Sequence, residues 1–197
     1  MSMKQILFNT EMVRAILDGR KSCTRRIVKH DVKAILNSPY HKEHPEVEDK
    51  QIISKLCMPP YQIGDILYVR ETWCKGLERY IYRADYSDTE KFYQGGKEIE
   101  MKWHPSIHMP KEAARIWLKV TDVRVERLQE ITTTQIEQEG VETEYPHVLN
   151  GEEKKYAFQN LWNSTIKKPD LDRYGWNTNP WVWVIEFERC DKPESEG

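Results

Sequence analysis

No apolar run in these 197 residues approaches the roughly 20 needed to cross a bilayer. No CxxC is present: the four cysteines, Cys23, Cys57, Cys74 and Cys190, stand far apart, so a disulfide scaffold is not expected. No signal-peptide pattern precedes them, which leads us to expect reduced thiols in a cytoplasmic protein. No internal repeat or coiled-coil heptad is visible. Nor does one sign of charge dominate: 30 Lys and Arg face 32 Asp and Glu, for a formal charge of −2. Global attraction to nucleic acid is therefore weak, and any such binding must rest on a local patch.

What is present is a local patch and many large aromatics. Between Arg14 and Lys33 lie Arg14, Arg20, Lys21, Arg25, Arg26, Lys29 and Lys33, against only Asp18 and Asp31. Such a segment is either a solvated face or a seat for an anionic partner. The compensating acid sits elsewhere, around Glu46, Glu48 and Asp49 and in a tail containing Asp191, Glu194 and Glu196, which is expected to be flexible over about 191–197. Seven Trp and ten Tyr suit both core packing and recognition of flat ligands, because each ring brings apolar area and one polar handle.

Hydrophobic periodicity organises the chain. Residues 6–9 read as a strand. A helix over 10–19 is capped by Asn9 or Thr10 and stopped by Gly19, with Met12, Val13, Ile16 and Leu17 as its stripe. Residues 22–28 read as a strand, and 30–60 as a polar insertion with one short helix near 49–56. The stretches 63–73 and 78–85 are expected to pair as a hairpin, followed by a second insertion over 86–110. A long strand covers 114–128, with Ile116, Leu118 and Val120 on one face. A capped helix spans 132–141, an amphipathic one 152–166, and a strand buried on both faces 181–189. Strands dispersed among short helices, closed by a buried strand, predict one α+β domain over 1–197 built as a small mixed barrel rather than a doubly wound sheet.

The order of motifs also carries a likeness. Gly19-Arg20-Lys21-Ser22-Cys23-Thr24-Arg25-Arg26 resembles the G-x-K-x-x-[E/T]-x-R signature of ASCH domains, a branch of the PUA-like β-barrel superfamily. GDILYVRETW, VTDVRVERL, IEQEG and the late WVWVIEF follow in the family's order. The mix, with YVRETW and WHPSIHMP, is similar to larger ASCH proteins of phages and prophages. The resemblance covers most of the chain outside the two insertions. It implies a PUA-like mixed β-barrel with a pocket for RNA or a single modified nucleobase or nucleoside. Small bacterial relatives include an amidohydrolase acting on N4-acetylcytidine, whose lysine and threonine fall on Lys21 and Thr24 and whose acidic residue falls on Glu139. A ribonuclease activity is a further family possibility tied to no residue here, and a purely structural phage protein is another.

If that chemistry operates, Thr24 is the nucleophile, Lys21 takes its proton, and Glu139 protonates the leaving amine. Lysine could act as a base only with its pKa lowered from about 10.4, in which direction Arg20, Arg25 and Arg26 would push. Positions three apart in a straight strand face opposite sides, so Lys21 and Thr24 converge only if the chain turns just after Gly19. The bland alternative is a phosphate-binding Lys21, an ordinary strand Thr24 and a solvated Glu139. The commoner family signature carries Glu where this chain has Thr24.

Other candidates are fewer. Arg70 and Glu71 are charges in a strand pattern: one points into the barrel mouth toward a base, or the two form a structural ion pair. Trp73 and Trp103 are candidate stacking platforms, with core packing as the alternative, while Trp181 and Trp183 are assigned to the core. His104 and His108 do not make a metal pair, because Pro105 prevents a regular helix between them and no third ligand is near. Neither metal nor cofactor is expected, nor a membrane partner. Cys23, between Lys21 and Arg25, is a further candidate nucleophile if its thiol pKa is lowered.

Overall fold

The computed structural model describes residues 3–143 and 152–194; Glu196 of the acidic tail lies outside the described residues. In chain order the elements are β1 (Met3–Leu7), α1 (Thr10–Leu17), β2 (Cys23–Ile27), α2 (Val32–Leu36), α3 (Pro39–Glu43), α4 (Asp49–Leu56), β3 (Ile66–Arg70), β4 (Trp73–Lys75), β5 (Tyr80–Tyr82), β6 (Phe92–Gln94), β7 (Lys97–Ile99), β8 (Trp117–Arg127), α5 (Thr133–Gln138), α6 (Glu152–Thr165), α7 (Leu171–Tyr174) and β9 (Trp181–Cys190). The fold is α+β with a mainly antiparallel sheet. That sheet is not a closed barrel, which corrects the expectation of closure.

The chain divides into two compact units. The first comprises residues 1–20, 64–119 and 188–197. Here β1 runs parallel to β3, and β3 pairs antiparallel with the start of β8. Its core gathers Ile66, Met109, Ala113, Ala114 and Trp117. The expected hairpin forms one step later than predicted: β4 pairs with β5, Trp73 facing Tyr82. Strand β3 stops at Arg70, and the next residue, Glu71, is turned inward onto Arg115.

The second unit comprises 21–63 and 120–187. Strand β2 pairs antiparallel with β9, Thr24 opposite Ile185 and Arg26 opposite Trp183, and β9 is flanked on its other edge by β8. Trp181 to Ile185 are all buried, as a strand apolar on both faces requires. Helices α5 and α6 cover this sheet through Leu128, Ile131, Ile136, Phe158, Trp162, Val182 and Val184. On α6 the apolar stripe is buried at Phe158 and Trp162, while Tyr156 faces solvent. The 30–60 insertion holds three short helices rather than one. Asp31 accepts from Ala34 N and Ser38 from His41 N, with Pro39 at the first helical position of α3; these are ordinary start signals.

Helices α1 and α5 stop in the same way. Gly19 (φ +75°) and Gly140 (φ +78°) are in the left-handed region. In α1, Gly19 N donates to Ile16 O and Arg20 N to Ala15 O; in α5, Gly140 N donates to Glu137 O and Val141 N to Ile136 O. These are paired Schellman bonds, which satisfy the last carbonyls and turn the chain sharply.

Two stability measurements check this account. Leu128→Ala empties a fully buried position and is expected to cost about 2–5 kcal/mol in urea unfolding. Gly140→Ala, which forces a Cβ into left-handed geometry, is expected to cost about 1–2 kcal/mol.

Candidate functional site

The two helix stops set where the charged residues land. Gly19 redirects the chain so that Lys21 leaves α1 before regular strand begins at Cys23. Glu139 is the last residue of the α5 turn, just ahead of Gly140. Lys21 and Glu139 form an isolated antiparallel bridge, reinforced by Ser22 N donating to Gln138 O at 2.8 Å.

Their side chains then meet in the interior. The Lys21 ammonium donates to Glu139 Oε2 at 2.7 Å, to Glu139 O at 2.9 Å and to Cys23 O at 2.7 Å. Both residues are almost wholly buried, at 4% and 5% exposure. Arg25 reaches the other carboxylate oxygen, Nη1 to Glu139 Oε1 at 3.0 Å, and donates through Nη2 to Gln135 Oε1 at 3.1 Å. Glu126 Oε2 stands 3.5 Å from Arg25 Nη2. The Arg25 guanidinium also lies over the Phe158 ring, 5.9 Å from its centroid. One carboxylate thus binds two cations, with acceptors for all three ammonium donors. Buried charge persists only with this kind of saturation.

On β2, alternation places Thr24 and Arg26 on the face opposite Cys23 and Arg25. The buried Thr24 hydroxyl accepts from Arg26 Nη1 at 2.8 Å, so the hydroxyl that the resemblance makes a nucleophile is engaged by Arg26 and not by Lys21. Burial lowers the Arg26 pKa from the usual guanidinium value, while Tyr61 and Glu139 oppose that shift. An arginine stays charged regardless, so Arg26 is a half-buried cation beside Thr24.

Cys23 is not an activated thiol. Burial, then the Glu139 charge, push its pKa up to about 12 against the pull of Lys21 and Arg25, which corrects the expectation that neighbouring cations would lower it. The sulfur sits 3.8 Å from Gln135 O and 4.0 Å from Arg25 Nη1.

The remaining sequence candidates are occupied elsewhere. Arg20 pairs with Asp18 at 2.8 Å. In the first unit, Arg70 donates to Gln5 Oε1 and Ile107 O. Glu71, 1% exposed, takes two hydrogen bonds from Arg115, at 2.9 and 3.0 Å, and Arg115 also bonds Asp85. Burial raises the Glu71 pKa and Arg115 pulls it back. The ion pair of that strand is therefore Glu71 with Arg115, not with Arg70. Trp73 packs on Tyr80 and His104, and Trp103 on Tyr86 and Phe92. Sequence reasoning missed Gln135, Glu126 and Arg115. Gln135 was legible as the capping-box partner of Thr132, whereas no local pattern marks the other two. Among the described residues no group of three or more His, Cys, Asp or Glu side chains could hold a metal ion, and no helix is long and apolar enough to cross a membrane.

No family model and no curated protein matches the chain. Two solved structures do. One is an ASCH domain from Lactobacillus crispatus JV V101, with a TM-score of 0.40 and 12% identity over 95% of this chain and 79% of that one. The other is hypothetical protein PH0355, with a TM-score of 0.37 and 15% identity over 96% of this chain and 100% of that one.

Removing the shared anion tests the cluster. Glu139→Ala leaves two buried cations facing each other and is expected to cost about 3–5 kcal/mol, read as a lower urea midpoint. Iodoacetamide at mildly alkaline pH should label Cys74 well before Cys23, checked by mass spectrometry of tryptic peptides.

Proposed function

We propose that this chain belongs to the ASCH branch of the PUA-like superfamily and binds RNA or a modified nucleobase at the face of β2 carrying Thr24 and Arg26, backed by Lys21 and Glu139. The family assignment rests on the Gly19–Lys21–Thr24–Arg26 signature and the order of the later strands and α5. The observation that carries the function is Arg26: a half-buried guanidinium donating to a buried threonine hydroxyl. Together they offer donor and acceptor groups in a fixed arrangement, as the edge of a base requires. Hydrogen bonds to a charged group are worth about 1.5–3 kcal/mol each, enough for selection without a large interface. The buried Lys21–Glu139–Arg25 network holds β2 and α5 in register behind them.

A second reading is hydrolysis of an N4-acylated cytidine, favoured by one fact: Lys21 and Glu139 are in direct contact although 118 positions apart. Binding is preferred because every ammonium donor of Lys21 is engaged and Thr24 is held by Arg26. A base role requires Lys21 to give up those contacts and lose a proton.

Calorimetric titration with cytidine and N4-acetylcytidine tests the binding reading. Arg26→Ala should weaken binding about 10- to 100-fold with the circular dichroism spectrum unchanged. No heat with either nucleoside, and no salt-sensitive retention of single-stranded RNA, would sink the proposal. Loss of the acetyl group, followed chromatographically, separates the second reading: turnover that survives in Lys21→Met removes Lys21 from the chemistry.

A further inference from the structure

Just past the end of β2, at Val28, lies a cavity of about 500 Å³. Its wall is Trp181, with Val28, Leu36 and Pro180 beside it, and its charged lining is Lys33, Arg127 and Arg173 against Asp31 and Asp172. All belong to the second unit. We propose that this cavity is a subsite for a further nucleotide of a single-stranded RNA whose recognised base sits at Thr24 and Arg26. The inference rests on the binding reading above and gives that site a polymeric ligand.

Three observations support it. The first is chemistry. The Arg127 guanidinium lies over the Trp181 ring, 4.3 Å from its centroid, and is fixed there by Nη1 donating to Asn179 O at 3.0 Å. Asn179 holds the left-handed conformation (φ +46°), and its Oδ1 accepts from Gln129 N. Arg173 lies over the Tyr174 ring at 4.9 Å. Both arginines rest on aromatic faces, with Glu130 acting on Arg127 and with Asp31 and Asp172 also lining the cavity, and the mixture of cations with aromatic and aliphatic walls suits a phosphate joined to a base.

The second observation is an unused donor. Trp181 is 8% exposed, and its indole Nε1 has no hydrogen-bond partner. A buried indole N–H normally finds one. A nucleotide oxygen or ring nitrogen would satisfy it.

The third is placement. Alternation puts Thr24, Arg26 and Val28 on one face of β2, and Val28, which lines the cavity, continues the strand pairing by donating its N–H to Trp181 O. Thr24 and Val28 are about 13 Å apart along an extended chain. A short strand of RNA can span this distance and a single nucleoside cannot.

The test compares two probes, N4-acetylcytidine and a short single-stranded RNA containing it, on the full chain and two variants. Lys33→Glu/Arg173→Glu reverses charge at exposed positions that bear no core contacts. Trp181→Phe keeps a ring and removes the N–H. The RNA is expected to bind the unaltered chain at least tenfold more tightly than the nucleoside. The charge reversal should erase that advantage and flatten its salt dependence, Trp181→Phe should reduce it several-fold, and nucleoside affinity should stay within twofold in both. RNA binding no tighter than nucleoside binding, or an RNA advantage kept in both variants, overturns the subsite while leaving the primary site standing. Failure of both probes on the unaltered chain overturns the binding reading itself.

Discussion

One buried carboxylate holds the second unit in register. Glu139 binds the Lys21 ammonium through one oxygen and the Arg25 guanidinium through the other, and these groups are nearly sealed from water. Their mutual attraction is set against a desolvation penalty of several kcal/mol per ion, and most of the other donors find acceptors in Cys23 O, Glu139 O and Gln135 Oε1, Arg25 Nε being left without one. The geometry that satisfies them is the end of α5 set against the start of β2. Apolar residues could replace the cluster without loss of stability, so its presence indicates a demand for placement.

The first unit meets its own buried acid differently. Glu71 is held by Arg115, which is shared with Asp85 and lies over the Tyr82 ring at 4.0 Å. The arrangement lies between the end of β3 and the start of the β4–β5 hairpin. The contrast separates structural charge from binding charge. Glu71 and Arg115 hold each other directly, whereas Arg26 holds the Thr24 hydroxyl and Arg127 lies over the Trp181 ring.

The resemblance to amidohydrolases and the observed contacts pull in different directions. The resemblance brings Lys21, Thr24 and Glu139 together as a reacting set. The contacts join Lys21 to Glu139, but give Thr24 to Arg26. A threonine hydroxyl that accepts from a guanidinium is poorly placed to lose its proton to an engaged ammonium.

Local chemistry alone determined a large part of this protein. The left-handed stops at Gly19 and Gly140, the capping of α1 and α5, the buried strand β9 and the long strand β8 were all legible, because each rests on contacts within a few residues. The three helices of the 30–60 insertion were equally local, through Asp31, Ser38 and Pro39, and were under-read. The basic segment was visible as charge, but not which charges it would bury. Only the tertiary structure decided that Lys21 and Arg25 go inside while Arg20 stays with Asp18, that Glu71 pairs with Arg115 and not with its neighbour, and that Trp181 lines a cavity. It also decided that the sheet does not close into a barrel. The reason is common to all of them: the energy of a buried charge or ring depends on partners that are distant in the chain, 118 positions for Lys21 and Glu139, and no local window of sequence contains both.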